Sequence, residues 1–196
     1  MASRVKLILI FVLLFCTLSI NHFRLQYIPS SATFVEDEIG ERHLSQFQTI
    51  DLAFERADMV GLYFAASWCP MSTPPTKLLE SIFTPAFLSP PSGNKAKFAI
   101  VYVSSDKEIG AMESYMKPNW IGVPFQSEEQ TAIKKHFLVC SKRELKELQI
   151  NRKHEIPSLF IFDSDTRNLI TTDGVADIKR YGTVDVLDYW NSKRES

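Results

Sequence analysis

The chain has 196 residues, 45% hydrophobic and 23% charged, which is enough to bury one core and excludes a compositionally disordered chain. A formal net charge of −1 and a pI of about 6.4 supply no basic field, so no nucleic-acid partner is expected. Cysteines at 16, 69 and 140 are too few for a disulfide scaffold, and with the four histidines they show no metal-ligand spacing, so no metal is expected.

The N-terminal stretch, residues 1–22, reads as a signal. Arg4 and Lys6 precede the uncharged run Leu7–Ile20, "LILIFVLLFCTLSI", which is apolar on every face. A run of this length fits an h-region and is short for a membrane span. Entry into the secretory pathway is therefore expected, with cleavage and retention as a single-pass membrane anchor both open. The product would be lumenal, secreted or membrane-anchored. Residues 23–43, with Pro29 and the acids Glu36, Asp37, Glu38 and Glu41, read as a connector, and residues 44–194 as one domain.

Within that domain, apolar residues at 44, 47, 50 and 54 predict a helix over Leu44–Arg56. Val60–Ala66 reads as a buried strand. Ser67–Phe83 should turn and become a helix, bent or delayed by Pro74 and Pro75. Pro85–Asn94 is a loop. Phe98–Ser104, "FAIVYVS", is a second buried strand, and Asp106 is placed to cap a helix over Lys107–Met116. Pro118–Phe125 reads as a loop, Glu128–Phe137 as a helix and Lys142–Leu148 as a further helical turn. After Pro157, "SLFIF" and "NLITT" are strands joined by a short turn, and Val184–Trp190 suits a closing helix. Strands separated by helices at this spacing predict an α/β domain: a mixed sheet with parallel central strands, an antiparallel hairpin at the end, and helices on both faces.

The segment with chemistry in it is "FAASWCPMSTPP", Phe64–Pro75. The strand leads straight into Trp68-Cys69-Pro70, so Cys69 falls at a helix N-terminus. Unpaired N–H groups and the helix dipole favour an anion there, and the thiolate is the nucleophilic form. Pro70 suits the first helical position because its missing N–H would have no partner anyway. Trp68 is placed to shield one side of the sulfur. The opposing interpretation is a buried, inert cysteine.

"LYFAASWCP" (Leu62–Pro70) resembles the active-site segment of tryparedoxins and nucleoredoxins, within the thioredoxin-fold superfamily. "VYVSSD" (Val101–Asp106), "NWIGVPF" (Asn119–Phe125) and "IPSLFIFDSDT" (Ile156–Thr166) are similar to that family's markers in the same order. The resemblance covers about residues 50 to 190. It implies a thioredoxin-like fold and a cis peptide before Pro157, with Ile156 and Pro157 facing Cys69. Backbone groups exposed there would align an extended substrate as an added strand. The implied partners are protein or peptide thiols and disulfides. No bound cofactor is implied beyond an external thiol such as glutathione.

Two departures matter. Where the family has Cys-Pro-Pro-Cys, this chain has Cys69-Pro70-Met71-Ser72. Where the family carries a proline later in the helix, Thr76 stands, with Pro74 and Pro75 ahead of it. Ser72 cannot close a disulfide, so the second, intramolecular attack of a dithiol enzyme is lost. A hydrogen bond from Ser72 to the Cys69 thiolate is the role expected of it instead.

Two functions remain open. One is a monothiol oxidoreductase in which Cys69 forms mixed disulfides, Ser72 supports the thiolate, and Trp68, Pro70, Ile156 and Pro157 shape the substrate site. The other is a redox-inactive module that binds or retains protein clients in the same groove. Cys140 is an alternative resolving thiol or a structural cysteine, and His154 is a neighbour of the Cys69 thiolate or a surface residue. Seven Lys or Arg between Lys134 and Lys153 either form a solvated face or flank the site and attract acidic partners.

Overall fold

The computed structural model describes residues 47–82 and 95–195. The leader, the connector and the Pro85–Asn94 loop lie outside them. Elements follow in the order α1 (Gln48–Arg56), β1 (Ala57–Ala65), a 3-10 turn (Pro70–Ser72), α2 (Thr73–Ile82), β2 (Ala96–Ser104), α3 (Ile109–Tyr115) and β3 (Ile121–Gly122). Then come α4 (Glu128–Phe137), a 3-10 turn (Lys142–Glu144), α5 (Leu145–Leu148), β4 (Ser158–Asp163), β5 (Leu169–Thr171) and α6 (Gly174–Arg194).

The sheet has five strands in the order β3-β2-β1-β4-β5. β2 is parallel to β1 and β3, while β4 is antiparallel to β1 and β5. Parallel pairing is thus confined to one half of the mixed sheet. The period-two alternation of strands sends successive side chains to opposite faces, and both faces are covered. Val60, Leu62 and Phe64 of β1, with Ala99, Val101 and Val103 of β2, pack with Ile50 and Phe54 of α1 and Ile133 and Phe137 of α4. Met59 and Tyr63, with Phe98, Ile100 and Tyr102, meet Leu79 of α2, Met112 of α3, and Ile178 and Trp190 of α6 on the other face. This double burial is why both strands read as nearly continuous apolar runs.

Gly61 has a packing reason. A Cβ there would stand 2.6 Å from Phe98 Cζ, whose ring lies across β1 against Trp190, 5.4 Å between centroids.

Several local expectations change. The Pro118–Phe125 segment contains β3, which pairs Ile121 and Gly122 with Val101 and Tyr102. The closing helix is far longer than Val184–Trp190 and is broken at Gly182, φ 75°. Pro74 and Pro75 neither break nor kink α2. They occupy its first turn, where a proline removes no helical hydrogen bond, and α-geometry is delayed to Thr73 behind the 3-10 turn. Asp106 does not cap α3, whose N-cap is Glu108 with no side-chain bond. Its carboxylate is used elsewhere, as described below.

Candidate functional site

The end of β1 and the end of β2 are fastened together, and that fastening builds the site. Ser105 N–H donates to the Ala65 carbonyl at 2.8 Å. Asp106 Oδ1 accepts from Ser67 N–H and Ser67 Oγ at 2.8 and 2.7 Å, while Oδ2 accepts from Ser104 Oγ at 2.8 Å and Tyr102 OH at 3.2 Å. Four donors on two oxygens saturate the carboxylate. They fix the loop Ala66–Trp68 that delivers Cys69. Trp68 is fixed in turn by its indole N–H, which donates to the Ser105 carbonyl at 2.9 Å.

Cys69 is the N-cap of the Pro70–Ser72 turn, with φ −89° and ψ 110°, and its carbonyl accepts from Ser72 N–H at 3.0 Å. The residue is 8% exposed, between Trp68 at 36% and the outward-facing Pro70 and Met71. The Ile156–Pro157 peptide is cis. The Ile156 carbonyl oxygen lies 4.0 Å from Cys69 Sγ, the outer limit of an S–H···O contact. Trp68, Cys69, Pro70, Ile156 and Pro157 therefore share one rim, at the end of the sheet where β1 finishes and the antiparallel β4 begins.

Ser72 departs from its expected role. It is fully buried, and its hydroxyl has no hydrogen-bond partner, so it makes no bond to the Cys69 sulfur. Its backbone carbonyl instead accepts from Tyr63 OH at 3.2 Å. Tyr63 OH also pairs with Thr76 Oγ1 at 2.9 Å, and Thr76 pairs with Tyr115 OH at 2.8 Å. Burial pushes the Tyr63 and Tyr115 hydroxyls above the usual tyrosine range, and the nearby Cys69 adds a smaller push in the same direction. Both stay protonated under ordinary conditions, so the chain is a neutral brace under the helix entry.

Cys140 is fully buried, and neither it nor Cys69 is in a disulfide. Burial raises its thiol pKa, and the Glu144 carboxylate raises it further. The resolving role weighed for Cys140 has no support here. His154 is half-buried with its ring 5.0 Å from Phe160, edge to face. Its backbone bridges Val139, which closes the base of an excursion, residues 139–154. Among the described residues no group of three or more His, Cys, Asp or Glu side chains is arranged to hold a metal ion. None of their helices is long and apolar enough to cross a membrane.

That excursion is where the basic run goes, and it is not uniformly solvated. Lys134 of α4 is buried and paired with Glu144. Burial opposes ionisation of Glu144, but the Lys134 charge and bonds from Lys134 and Ser141 hold its carboxyl below the usual range. Arg143 reaches back to the site, its guanidinium carbon 4.0 Å from the Trp68 ring centroid. Sequence reasoning did not single out Arg143, Ser105 or the fastening role of Asp106. The signals were present as the basic run and as "SSD" after β2, but neither pattern says which side chain turns toward Trp68.

A family model described as thioredoxin-like matches residues 57–168, more than half of the chain. The nucleoredoxin of Danio rerio is 26% identical over 149 residues, covering 74% of this chain and 30% of its own length. The chain thus spans less than a third of that curated relative. Among solved structures, tryparedoxin I from Crithidia fasciculata is 27% identical with a TM-score of 0.44, over 63% of this chain and 73% of that one. A thioredoxin from Wuchereria bancrofti is 28% identical with a TM-score of 0.45, over 72% and 85% respectively.

Proposed function

Because the chain belongs to the thioredoxin-like family, we propose that it catalyses thiol–disulfide exchange as a monothiol, through Cys69 alone. The observation that carries this reading is the pairing of a cysteine at the helix entry, beside the Ile156 carbonyl, with a buried serine at the place of a second thiol. The attacking species in such an exchange is the thiolate.

The exchange proceeds in two attacks. The Cys69 thiolate attacks one sulfur of a client disulfide; a Cys69–client bond forms and the client's other sulfur leaves as a thiolate. An external thiol then loses its proton and attacks this mixed disulfide, transferring the bond to itself and freeing one sulfur as thiolate. Each step exchanges one disulfide for another, with no outside oxidant. Ile156 and Pro157 offer the backbone against which an extended client lies. Ser72 takes no part in bond making. This chemistry suits isomerisation, deglutathionylation or client retention, and the apolar leader places it, on this reading, in the secretory pathway. Protease protection of the full chain in microsomes checks the compartment; complete digestion without detergent would overturn it.

The test of the mechanism is insulin reduction with and without glutathione. The wild-type chain should accumulate a mixed disulfide and turn over only when glutathione is added. Ser72→Cys should restore turnover with a dithiol reductase alone, since a held nucleophile is worth an effective molarity of about 10⁵ M or more. Efficient glutathione-independent reduction by the wild type would overturn the monothiol reading. The second reading, a redox-inactive binding module, is favoured by the missing second thiol, and failure of Cys69 to form any mixed disulfide would select it.

A further inference from the structure

Arg143 comes to the Cys69 rim from a part of the chain that the exchange chemistry does not otherwise use. The excursion between α4 and β4 is closed at its base by the Val139–His154 bridge, and Lys153 and His154 N–H donate to the Leu138 carbonyl at 2.9 and 3.1 Å. Inside it, Arg152 donates to the Cys140 carbonyl at 3.3 Å, Leu148 is buried, and the buried Lys134 pairs with Glu144. The Ser141–Glu144 capping box fixes the turn Lys142–Glu144, of which Arg143 is the middle residue. Breaking a buried ion pair is strongly unfavourable, so this turn is a fixed mount rather than a loose loop.

The mount presents a guanidinium. Arg143 Cζ lies over the Trp68 ring, 4.0 Å from its centroid, and the indole N–H is held by the Ser105 carbonyl at 2.9 Å. Trp68 is exposed and directly precedes Cys69, so the cation stands over the residue next to the reacting one. Its charge is unspent. Among the described residues no ion pair reaches Arg143, not even from Glu147, four positions on. Glu144 is taken by Lys134 and Ser141, and Asp106 is filled by four donors. Contact with a ring engages the face of a guanidinium, while its N–H donors lie in its plane and match a carboxylate two at a time.

The kind of ligand follows from exposure. A single exposed ion pair contributes too little to hold a free small anion. It can discriminate among polypeptides already laid against Ile156 and Pro157, because that attachment raises the local concentration of their side chains. Lys142 and Lys146 on the same excursion are exposed and unpaired as well, which favours an acidic segment over a basic one.

We propose that Arg143 is a specificity determinant of the exchange, taking an Asp or Glu carboxylate of the client within about two to four residues of the cysteine under attack, at about 3.3 Å per residue of extended chain. That the client is a disulfide rests on the exchange reading; the carboxylate contact does not.

The test uses the full chain and peptides activated as pyridyl disulfides, identical except for Glu, Gln or Lys placed three residues before and after the cysteine. The Cys69 thiolate attacks the peptide sulfur, the Cys69–peptide disulfide forms, and the pyridine thiolate leaves and takes up a proton, its release followed by absorbance. The wild type should react at least about fivefold faster with the Glu peptide than with the Lys peptide, and the ratio should shrink as salt is raised. Arg143→Gln should bring the three rates together, and Arg143→Glu should invert their order. Arg143 is exposed and neither substitution touches the Lys134–Glu144 pair, so both variants keep the fold. An arginine that only braces Trp68 would, on substitution, slow all three peptides alike; that result overturns the proposal, and so does equal reactivity in the wild type with the exchange reading intact. The same peptides with serine in place of cysteine, titrated while the Trp68 indole N–H resonance is followed by NMR, separate binding from chemistry. If no peptide reacts with Cys69 but the Glu peptide binds tightest and loses that advantage in Arg143→Gln, the carboxylate contact stands and the exchange reading is overturned.

Discussion

Cys69 and Cys140 both stand at the approach to a short turn, Cys69 as its N-cap and Cys140 one residue before the N-cap, and their surroundings differ. Each lies at the entry of a 3-10 turn, Pro70–Ser72 in one case and Lys142–Glu144 in the other. At the first, the cysteine itself is the N-cap, no side chain caps the turn, and the sulfur stands at the rim beside the Ile156 carbonyl. At the second, the N-cap is Ser141, and Glu144 completes a capping box by accepting from Ser141 N–H and Oγ at 2.8 and 2.7 Å. The anion that a helix entry favours is therefore already present as a carboxylate, and it repels a second negative charge on Cys140. Burial is the larger cause of the raised Cys140 thiol pKa, and Glu144 adds to it. The two turns differ in whether an acid side chain holds the N-terminus: Glu144 does so at Lys142–Glu144, and none does at Pro70–Ser72.

The largest expected effect tests that distinction directly. Iodoacetamide should label folded wild-type protein at Cys69 at least about a hundredfold faster than at Cys140, since the thiolate is the reactive form and Cys140 is both buried and held protonated. Cys69→Ser should abolish mixed-disulfide formation, while Cys140→Ala leaves it unchanged. Mass spectrometry of labelled peptides reads both. Comparable labelling of the two sites would erase the contrast.

The next effect breaks the second turn. Glu144→Gln leaves the buried Lys134 without its counter-charge and should cost about 3 kcal/mol by denaturant unfolding. The same pair gives a pH dependence of definite sign. Because the folded protein holds the Glu144 carboxyl below its usual value of 4.5, the stability it contributes is complete above that pH. It is lost as pH falls further, through the lower folded value. The wild type should therefore lose stability below about pH 4.5 more steeply than Glu144→Gln, and equal slopes would remove Glu144 from the account.

Much of this architecture was legible in the sequence. The β1 and β2 runs declared themselves because both faces are buried, and Trp68-Cys69-Pro70 declared a strand-to-helix junction through Pro70. The cis Ile156–Pro157 peptide came from resemblance and the structure has it. Less legible was anything set by which way a polar side chain turns. Asp106 read as a helix cap because Asp favours that position, but donors from the preceding strand, Tyr102 and Ser104, and from Ser67 across the sheet outcompeted the helix. β3 was hidden because two residues pairing on a sheet edge carry no periodicity. The basic run could not announce that one of its arginines stacks on Trp68, a contact across 75 positions in sequence.

Ser72 gives the smallest effect and the sharpest test of what occupies the second thiol's place. Its hydroxyl is buried without a partner, whereas the hydroxyls of Tyr63, Thr76 and Tyr115 around the same helix entry bond one another in series. An unpaired buried hydroxyl carries a desolvation cost that a methyl group does not, so Ser72→Ala should raise stability by about 1 kcal/mol. The Tyr63 bond to the Ser72 carbonyl is a backbone contact and survives the substitution. Mixed-disulfide formation at Cys69 should be unaltered, because no contact joins the serine oxygen to the sulfur. A Ser72→Ala chain that was less stable, or whose Cys69 reacted several-fold more slowly, would mean that the hydroxyl does bond the thiolate. The serine would then act as a thiolate donor rather than as a spacer where a thiol would otherwise stand.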